Sequence, residues 1–526
     1  MREEWGSRIG FILAVAGSAI GLGNIWKFPY MCGMNGGGAF VVVYLACVLL
    51  VGFPMLLLEL VMGRASQSST VGAFSKLAPA KGFLSDLLGG SLLLTGAIFL
   101  CLKQPGYGTF LLLAGASLLL MGWKTLGFLC GMVLPMLIIV YYSVIGGWTL
   151  VYICRAFSGN LDFTDQAGAI EEMTPIAASV GMDGIWVLLG TVAFSAACAA
   201  VLLCGVKNGI ERWAKILMPS LFILLLLLIV RGLTLPGAKN GVTFFLSPDF
   251  SKLSTSGILA ALGHSFFSMS LAMGIVITYG SYINRKENLI KSAISVLVLD
   301  TVAALLAGLA IFPAVFAMGF AENSGPALIY QVLPAAFNRI PGGLSWLWNG
   351  IFFLMIAVAA LTSGISLLEP PVRICMEEFK LSRRKAVCII AGICTVGGAI
   401  CSFSMSNWDH FPAIGKVMEF IWNDDAPTSL FAALDNFSCN WMLPLAGFFS
   451  AIYAGWIWGS HYAVRELGRG AKGIYSNMWY GFAGLPAPQE GNKDNISPLS
   501  FALMWGISIR FISPALVLMA FYQLVR

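Results

Sequence analysis

Long apolar runs separated by short polar segments dominate this chain. A membrane-spanning helix needs about 20 consecutive apolar residues, and eleven runs reach that length. These runs, numbered here as spans 1 to 11, lie near residues 9–30, 38–62, 125–156, 184–204, 216–235, 257–283, 291–319, 344–374, 385–405, 437–459 and 499–524. The pattern predicts an all-α polytopic membrane protein with eleven core spans.

Two shorter, glycine-rich apolar runs lie between spans 2 and 3, near residues 84–102 and 107–123. They flank Lys103-Gln-Pro-Gly106, which is a turn signal. We therefore predict that residues 84–123 form an inserted hydrophobic hairpin within a single transmembrane domain of residues 1–526. The hairpin is either a thin pair of spans or a re-entrant loop. Either choice adds an even number of crossings and leaves the rest of the topology unchanged.

Span 1 is interrupted at the depth of the bilayer midplane. Gly17, Gly21 and Gly23 weaken the helix there, and Asn24 follows them. Unpaired backbone groups in hydrocarbon are costly, so a helix break at that depth is tolerated only where it lines a cavity or faces a ligand. The motif therefore predicts a buried site that coordinates ions and a small solute.

Span 6 is interrupted in a similar way between Phe266 and Gly274. Ser268 and Ser270 in this stretch have a local interpretation, because hydroxyls in helices often bond back to their own backbone. Spans 1 and 6 are, however, corresponding members of two five-helix halves. Paired breaks at corresponding positions are typical of inverted-repeat transporters, so we predict a five-plus-five inverted-repeat bundle with discontinuous helices 1 and 6.

Composition and loop charge define the class and the orientation. Only 11% of the residues are charged, against roughly 25% in soluble domains. Basic residues gather in alternate loops, which places the N-terminus in the cytoplasm of a multi-pass protein of the cell inner (cytoplasmic) membrane. This distribution of the basic residues indicates no nucleic-acid partner. Twelve cysteines and three histidines without metal-ligand spacing give little support to a transition-metal site.

Several further motifs occur in order along nearly the whole chain outside residues 84–123. They are Trp5-Gly-Ser-Arg-Ile-Gly10, Gly17 to Pro29, Asn35-Gly-Gly-Gly-Ala-Phe40, Glu59-Leu-Val-Met-Gly-Arg64, Tyr141-Tyr142, Gly209-Ile-Glu-Arg-Trp-Ala-Lys215, Thr278-Tyr279 and Ala359-Ala-Leu-Thr-Ser363. In these motifs the chain resembles the neurotransmitter:sodium symporter family, whose structural prototype is the bacterial leucine transporter. The resemblance implies a secondary active transporter that couples inward sodium movement to amino-acid uptake by alternating access.

Other functions remain as alternatives to this interpretation. A non-transporting amino-acid sensor of the same fold would carry the same sites. An intramembrane enzyme is disfavoured because the sequence shows no paired catalytic aspartates, HExxH motif or serine–lysine arrangement. A channel is disfavoured because gate residues occur on both faces of one central site.

The resemblance implies two sodium sites built from oxygen ligands. The first takes the Ala19 carbonyl, the Asn24 side chain, Ser268 and the Asp300 carboxylate, together with the carboxylate of the substrate. The second takes the carbonyls of Gly17, Ile20 and Ala359 and the hydroxyls of Thr362 and Ser363. Sodium ions are the only cofactors expected.

Asp300 lies inside the apolar run of span 7, where a carboxylate costs roughly 2.5–3.5 kcal/mol or more. Many animal members of the family carry a neutral residue here and need a bound chloride to balance the sodium charge. Because Asp300 supplies the negative charge itself, the resemblance implies chloride-independent transport.

The organic substrate is expected to be an α-amino acid. Amine-carrying relatives place an aspartate at the position of Gly21, and this chain has none there. By resemblance, the substrate carboxylate meets the Leu22 and Gly23 amides and the Tyr142 hydroxyl, and its ammonium faces the Ala19 and Phe267 carbonyls and the Ser270 hydroxyl. The side-chain pocket is lined by Ile138, Tyr142, Phe267, Met273, Ser363 and Leu367. This apolar, uncharged lining favours a hydrophobic or aromatic side chain.

Gate residues are implied on both sides of the site. Lys27 and Asp435 form the external gate with Phe267 and Tyr142 as its lid, and Arg2 pairs with Glu377 on the inner side, braced by Trp5 and Tyr282. Most relatives have arginine where Lys27 stands, and lysine lacks the bidentate fork. The expected partners are the amino acid, sodium and the lipid bilayer. The 84–123 hairpin is a candidate surface for a homodimer or an accessory contact.

Overall fold

A computed structural model describes residues 3–77, 83–101, 105–161, 182–319, 328–339, 343–404, 429–470 and 501–525. Within these residues, nine helices are long and apolar enough to cross a membrane, and one bent helix pair forms a tenth span. Two shorter helices separated by an unwound segment occupy the position of span 6. The predicted all-α polytopic architecture is therefore confirmed.

The helix bounds follow the predicted spans closely. Span 1 comprises Arg8–Ala19 and Gly23–Met34, span 2 Gly38–Ser66, span 3 Lys124–Phe157, span 4 Met182–Leu203, span 5 Val206–Leu233, span 6 Thr255–Ser268 and Ile275–Ser281, span 7 Leu289–Ala317, span 8 Ser345–Glu378, span 9 Arg383–Ser404, span 10 Leu430–Gly468 and span 11 Phe501–Met519. Shorter helices Thr70–Lys76, Ala238–Leu246 and Leu333–Asn338 lie between spans. Span 10 extends beyond the predicted run 437–459 at both ends. Helical hydrogen bonding continues across the polar pair Asp435-Asn436 at one end and into the polar residues after Gly459 at the other, and a hydropathy pattern counts neither.

The break predicted in span 1 begins directly after Ala19. Ile20 has φ −78° and ψ 82°, outside the helical region, and the two halves of the span are bent by 46°. The Gly21 amide donates to the Ala19 carbonyl at 2.9 Å instead of continuing the helical pattern. Beyond the break the chain resumes as a π-helical turn, Gly23–Lys27. The break therefore turns main-chain groups toward the centre of the bundle.

The break in span 6 is held in a strained conformation. Ser270 and Ala272 have positive φ values of 52° and 63°, followed by Gly274 at 68°. A left-handed conformation costs an L-residue roughly 1–2 kcal/mol. The Ala272 amide donates to Oε1 of Glu59 in span 2 at 2.5 Å, and Glu59 is completely buried. This contact between spans gives the unwound backbone a hydrogen-bond acceptor at a depth where water is excluded.

Helix packing brings the two breaks together. The first half of span 1 packs against spans 5, 7 and 8, and the second half of span 6 packs against span 2. The π-helical turn after the span 1 break contacts both span 7 and the first half of span 6. The site is therefore assembled from residues hundreds of positions apart in the sequence.

The segment between spans 2 and 3 forms two helices, Phe83–Cys101 and Pro105–Met121, which pack against each other. Several of their leucines face outward, with Leu94, Leu113 and Leu120 exposed by 67%, 64% and 73%. An apolar exterior is expected of helices in contact with lipid. A contact of this hairpin with a second chain stays a prediction.

Candidate functional site

A cavity lies between the breaks of spans 1 and 6 and is closed by spans 3 and 8. All ten residues proposed from the sequence to bind substrate line it: Ala19, Leu22, Gly23, Ile138, Tyr142, Phe267, Ser270, Met273, Ser363 and Leu367. Ser18 and Gly21 complete the lining. No lining side chain carries a formal charge, so the cavity combines main-chain polar groups with an apolar pocket.

A buried cluster of oxygen atoms joins spans 1, 6 and 7 at one edge of this cavity. The Asn24 amide nitrogen donates to Oδ1 of Asp300 at 2.8 Å and to the Asp300 carbonyl at 3.1 Å. The Ser268 hydroxyl lies 3.3 Å from Oδ1 of Asn24 and from both carboxylate oxygens of Asp300. All three residues are completely buried. The cluster offers only hard oxygen ligands and one negative charge, which suits an alkali cation.

Tyr44 of span 2 also contacts this cluster. Its hydroxyl lies 3.0 Å from the Ser268 hydroxyl. The rings of Phe28 and His264 surround it, and both ring nitrogens of His264 are buried without a hydrogen-bond partner in the described part of the chain. His264 thus fills an apolar position beside the cluster and donates no hydrogen bond to Asp300.

A second group of oxygens lies where span 8 meets the end of the first half of span 1. The Ser363 hydroxyl donates to the Ser18 carbonyl at 3.0 Å and lies 3.4 Å from the Gly17 carbonyl. The Thr362 hydroxyl donates to the Ala359 carbonyl at 2.9 Å, within its own helix. Gly17 also faces Thr362, because a Cβ at Gly17 would lie 3.4 Å from the Thr362 Cβ. Four of the proposed ligands are therefore adjacent, and the fifth, Ile20, is the residue at which the helix ends.

The geometry identifies Ser18 as a residue that sequence reasoning missed. Its carbonyl accepts hydrogen bonds from Ser270 at 2.8 Å and from Ser363 at 3.0 Å. It thereby links spans 6 and 8 to span 1. Its own hydroxyl is buried without a partner among the described residues. The sequence showed only a serine among the glycines of the motif. It did not indicate that the Ser18 carbonyl accepts the hydrogen bonds from spans 6 and 8.

Gly21 also has a steric role. A Cβ on Gly21 would lie 2.1 Å from the Ser363 hydroxyl and 3.2 Å from the Tyr142 hydroxyl. Next to it, the Leu22 amide points toward the Tyr142 hydroxyl at 3.5 Å. The absence of a side chain at Gly21 therefore keeps spans 3 and 8 close to the break.

A family model described as the sodium:neurotransmitter symporter family matches residues 2–86 and 172–480, well over half of the chain. The chain belongs to the sodium:neurotransmitter symporter family. Between its two matched parts the family model leaves residues 87–171 of this symporter unmatched, and they contain most of the inserted hairpin.

Relatives of this symporter are described as sodium-dependent transporters. The uncharacterised transporter YhdH of Bacillus subtilis is 38% identical over 366 residues, which cover 70% of this chain and 71% of YhdH. An uncharacterised transporter of Haemophilus influenzae is 31% identical over 493 residues, covering 93% of this chain and 96% of the relative. The crystal structure of MhsT in complex with L-phenylalanine matches with a TM-score of 0.74 and 34% identity over 100% of both chains. This symporter is accordingly a sodium-dependent transporter and not an enzyme.

On one side of the symporter's cavity lie the residues proposed as the external gate. The Lys27 ammonium sits 4.6 Å from the centre of the Phe267 ring. Among the described residues no direct ion pair joins Lys27 to Asp435. Oδ1 of Asp435 instead accepts the thiol of Cys439 at 3.3 Å. The direct pair between Lys27 and Asp435 therefore stays a prediction.

On the opposite side, the N-terminal segment of the symporter is fastened to the bundle. The Trp5 indole donates to the Tyr279 carbonyl at 3.0 Å and packs edge-on against Tyr282. Glu377 binds Arg373 at 2.5 Å and accepts the Ser69 amide at 2.6 Å. Arg2 lies outside the described residues, so its proposed pair with Glu377 stays a prediction.

A second ion-pair network on this side was missed by the sequence analysis. Arg383 of span 9 forms a fork to the buried Glu369 at 2.7 and 3.1 Å and also binds Glu3 at 2.7 Å. The Tyr282 hydroxyl donates to the same Glu369 at 2.6 Å. The N-terminal segment, the end of span 6 and spans 8 and 9 are thus joined through Glu369 and Arg383. Loop charge indicated orientation but not this pairing.

Proposed function

We propose that this symporter couples inward sodium movement to the uptake of a hydrophobic or aromatic α-amino acid, by alternating access and without chloride. The observation that carries the proposal is the cavity between the two breaks. It places freed main-chain amides and carbonyls beside an apolar pocket that has no charged side chain. A zwitterion with an apolar side chain complements both halves of such a cavity.

The two ends of the cavity offer different polar groups, one set for the carboxylate of a zwitterion and one for its ammonium. We expect the substrate carboxylate at the Leu22 and Gly23 amides, where the half-helix begins and its dipole favours an anion. The Tyr142 hydroxyl, near the Leu22 amide, adds a donor. The ammonium would face the carbonyls at the other end of the break and the Ser270 hydroxyl, which already bridges to Ser18.

The side-chain pocket sets the substrate class. Ile138, Phe267, Met273 and Leu367 supply apolar surface, and Met273 can repack around side chains of different size. Without an aspartate at Gly21, an amine lacking its own carboxylate would leave sodium ligands and amides unpaired. MhsT was crystallised in complex with L-phenylalanine. This supports an aromatic amino acid as a substrate of the present symporter.

Two sodium ions would travel with the substrate. The first fits among Asn24, Ser268 and Asp300, where the carboxylate balances its charge without an added anion. The second fits near Gly17, Ala359, Thr362 and Ser363. With a neutral zwitterion, two charges move inward and contribute about 4.6 kcal/mol per 100 mV, which supports roughly three decades of concentration ratio.

Alternating access requires that only one side of the cavity opens at a time. The Trp5, Glu369 and Arg383 contacts fasten the side of the N-terminus. On the other side, Lys27 lies over Phe267 without a direct ion pair to Asp435 in the described structure. The inner side thus has hydrogen bonds and ion pairs across it, whereas the outer side, within the described part of the chain, has no direct ion pair between Lys27 and Asp435. This difference supports a conformation that is closed on the inner side. We place the N-terminus in the cytoplasm and the chain in the cell inner membrane.

The test is uptake by the purified protein in liposomes. With an inward sodium gradient, labelled L-phenylalanine, L-leucine and L-tryptophan should accumulate, whereas L-glutamate, L-lysine and a biogenic amine should not. Replacing external chloride by gluconate should leave the rate unchanged. Sodium-dependent binding without accumulation would identify a sensor instead of a transporter. Absence of both binding and uptake for every amino acid would refute the proposal.

A further inference from the structure

Cys439 contacts Asp435, the acidic residue of the proposed external gate. It lies on span 10 one turn beyond Asp435, where the helix changes to the π-helical segment Phe437–Met442. Its thiol donates to Oδ1 of Asp435 at 3.3 Å. The acidic member of the gate is therefore held by a neighbour on its own helix.

A second contact comes from span 3. The Tyr141 hydroxyl lies 3.5 Å from the Cys439 sulfur. Tyr141 is almost fully buried and packs edge-on against Phe431, with ring centres 5.5 Å apart. The thiol is thus fixed between spans 3 and 10 and has a preferred direction toward Asp435.

The basic member of the gate, Lys27, lies within electrostatic range of Cys439 and Asp435. Its ammonium lies over the Phe267 ring. A guanidinium could grip a carboxylate with two parallel hydrogen bonds and so fix its orientation, but an ammonium is a point charge. With lysine in this gate, the orientation of the Asp435 carboxylate must come from another group.

We propose that Cys439 is a positioning residue of the external gate: its thiol orients the Asp435 carboxylate toward Lys27, so that the gate closes over bound substrate. This inference rests on the proposed transport function. A thiol is a weak donor, but this hydrogen bond is partly buried, so water competes less for the carboxylate. Losing it frees the carboxylate to rotate away and weakens the closed gate.

The test compares uptake kinetics in liposomes for the wild type and for Cys439→Ala and Cys439→Ser. Cys439→Ala should raise KM about two- to tenfold, the range for one lost hydrogen bond, with kcat changed less than twofold. Cys439→Ser keeps a hydrogen-bond donor and should have the same KM as the wild type. Cys439→Val keeps the volume without a donor and should behave like the alanine variant. Cys154→Ala, at an exposed cysteine of span 3, is the control and should match the wild type.

A double-mutant cycle separates positioning from packing. In a Lys27→Gln background, Cys439→Ala should have no further effect on KM, because the thiol acts through the pair that Lys27 completes. A wild-type KM in Cys439→Ala, an equal loss in the serine variant, or the same loss in the Lys27→Gln background would each overturn the inference. If the wild type takes up no amino acid, the proposed function itself fails and the gate with it.

Discussion

Asp300 is the charged member of the oxygen cluster that joins spans 1, 6 and 7. It is completely buried, and its neighbours Asn24 and Ser268 are neutral. An intramembrane carboxylate is expensive and is retained where its charge has a function. Among single residues, it is the group on which the proposed chloride independence depends.

Asp300→Asn preserves the size of this side chain but removes its charge and replaces one of its two acceptor oxygens by an NH2 donor. We expect sodium-driven uptake either to fall more than about tenfold or to become dependent on external chloride, since one charge-assisted ligand is worth roughly 1.5–3 kcal/mol. Uptake is measured in chloride and in gluconate. Asp249→Asn, at an exposed acid outside the spans, is the matched control. Full, chloride-insensitive uptake by Asp300→Asn would contradict the assignment.

Gly21 gives a steric prediction at the same scale. The Cβ of Gly21→Ala would meet the Ser363 hydroxyl at 2.1 Å, so this hydroxyl must rotate away from the Gly17 and Ser18 carbonyls. The sodium concentration for half-maximal uptake should rise about tenfold or more. Gly263→Ala is the control, because nothing lies within 4 Å of a Cβ there. An unchanged sodium dependence in Gly21→Ala would remove Ser363 from the ion site.

At the scale of elements, the break in span 6 depends on span 2. The left-handed backbone at Ala272 donates its amide to the buried Glu59. Glu59→Ala removes that acceptor and should lower the free energy of unfolding by about 1–3 kcal/mol, observed as a lower midpoint of thermal unfolding in detergent. Glu59→Gln keeps a carbonyl acceptor and should lose less. Equal midpoints for the alanine variant and the wild type would show that the break is stable by itself.

At the scale of the whole molecule, the inner network around Glu369 joins four parts of the chain. Arg383→Gln leaves that buried carboxylate without its ion pair, and breaking a buried pair typically costs about 3–5 kcal/mol. The conformation open on the inner side should then become more populated. Hydrogen–deuterium exchange in residues 3–19 should accelerate and uptake should fall. Arg384→Gln alters an exposed neighbour and should change neither; equal exchange in both variants would rule out a gating role for Arg383.

The spans, the two breaks and the residue types at the site could all be predicted from the amino-acid sequence. Each of these depends on local properties: the length of an apolar run, the weak helix propensity of Gly17, Gly21 and Gly23, and the presence of Asp300 within an apolar helix. The ordered motifs then indicated the family, and with it the positions proposed for substrate and sodium.

Which groups pair across the bundle became known from the packing of the helices. The Ser18 carbonyl, the Glu59 contact at Ala272, the Cys439 thiol beside Asp435 and the fork between Arg383 and Glu369 all join distant spans or depend on a side chain's direction. Apolar periodicity reports that a residue is in a helix, but the partner of a buried polar group is set by how helices pack. Where several acceptors are chemically equivalent, packing distance alone selects among them.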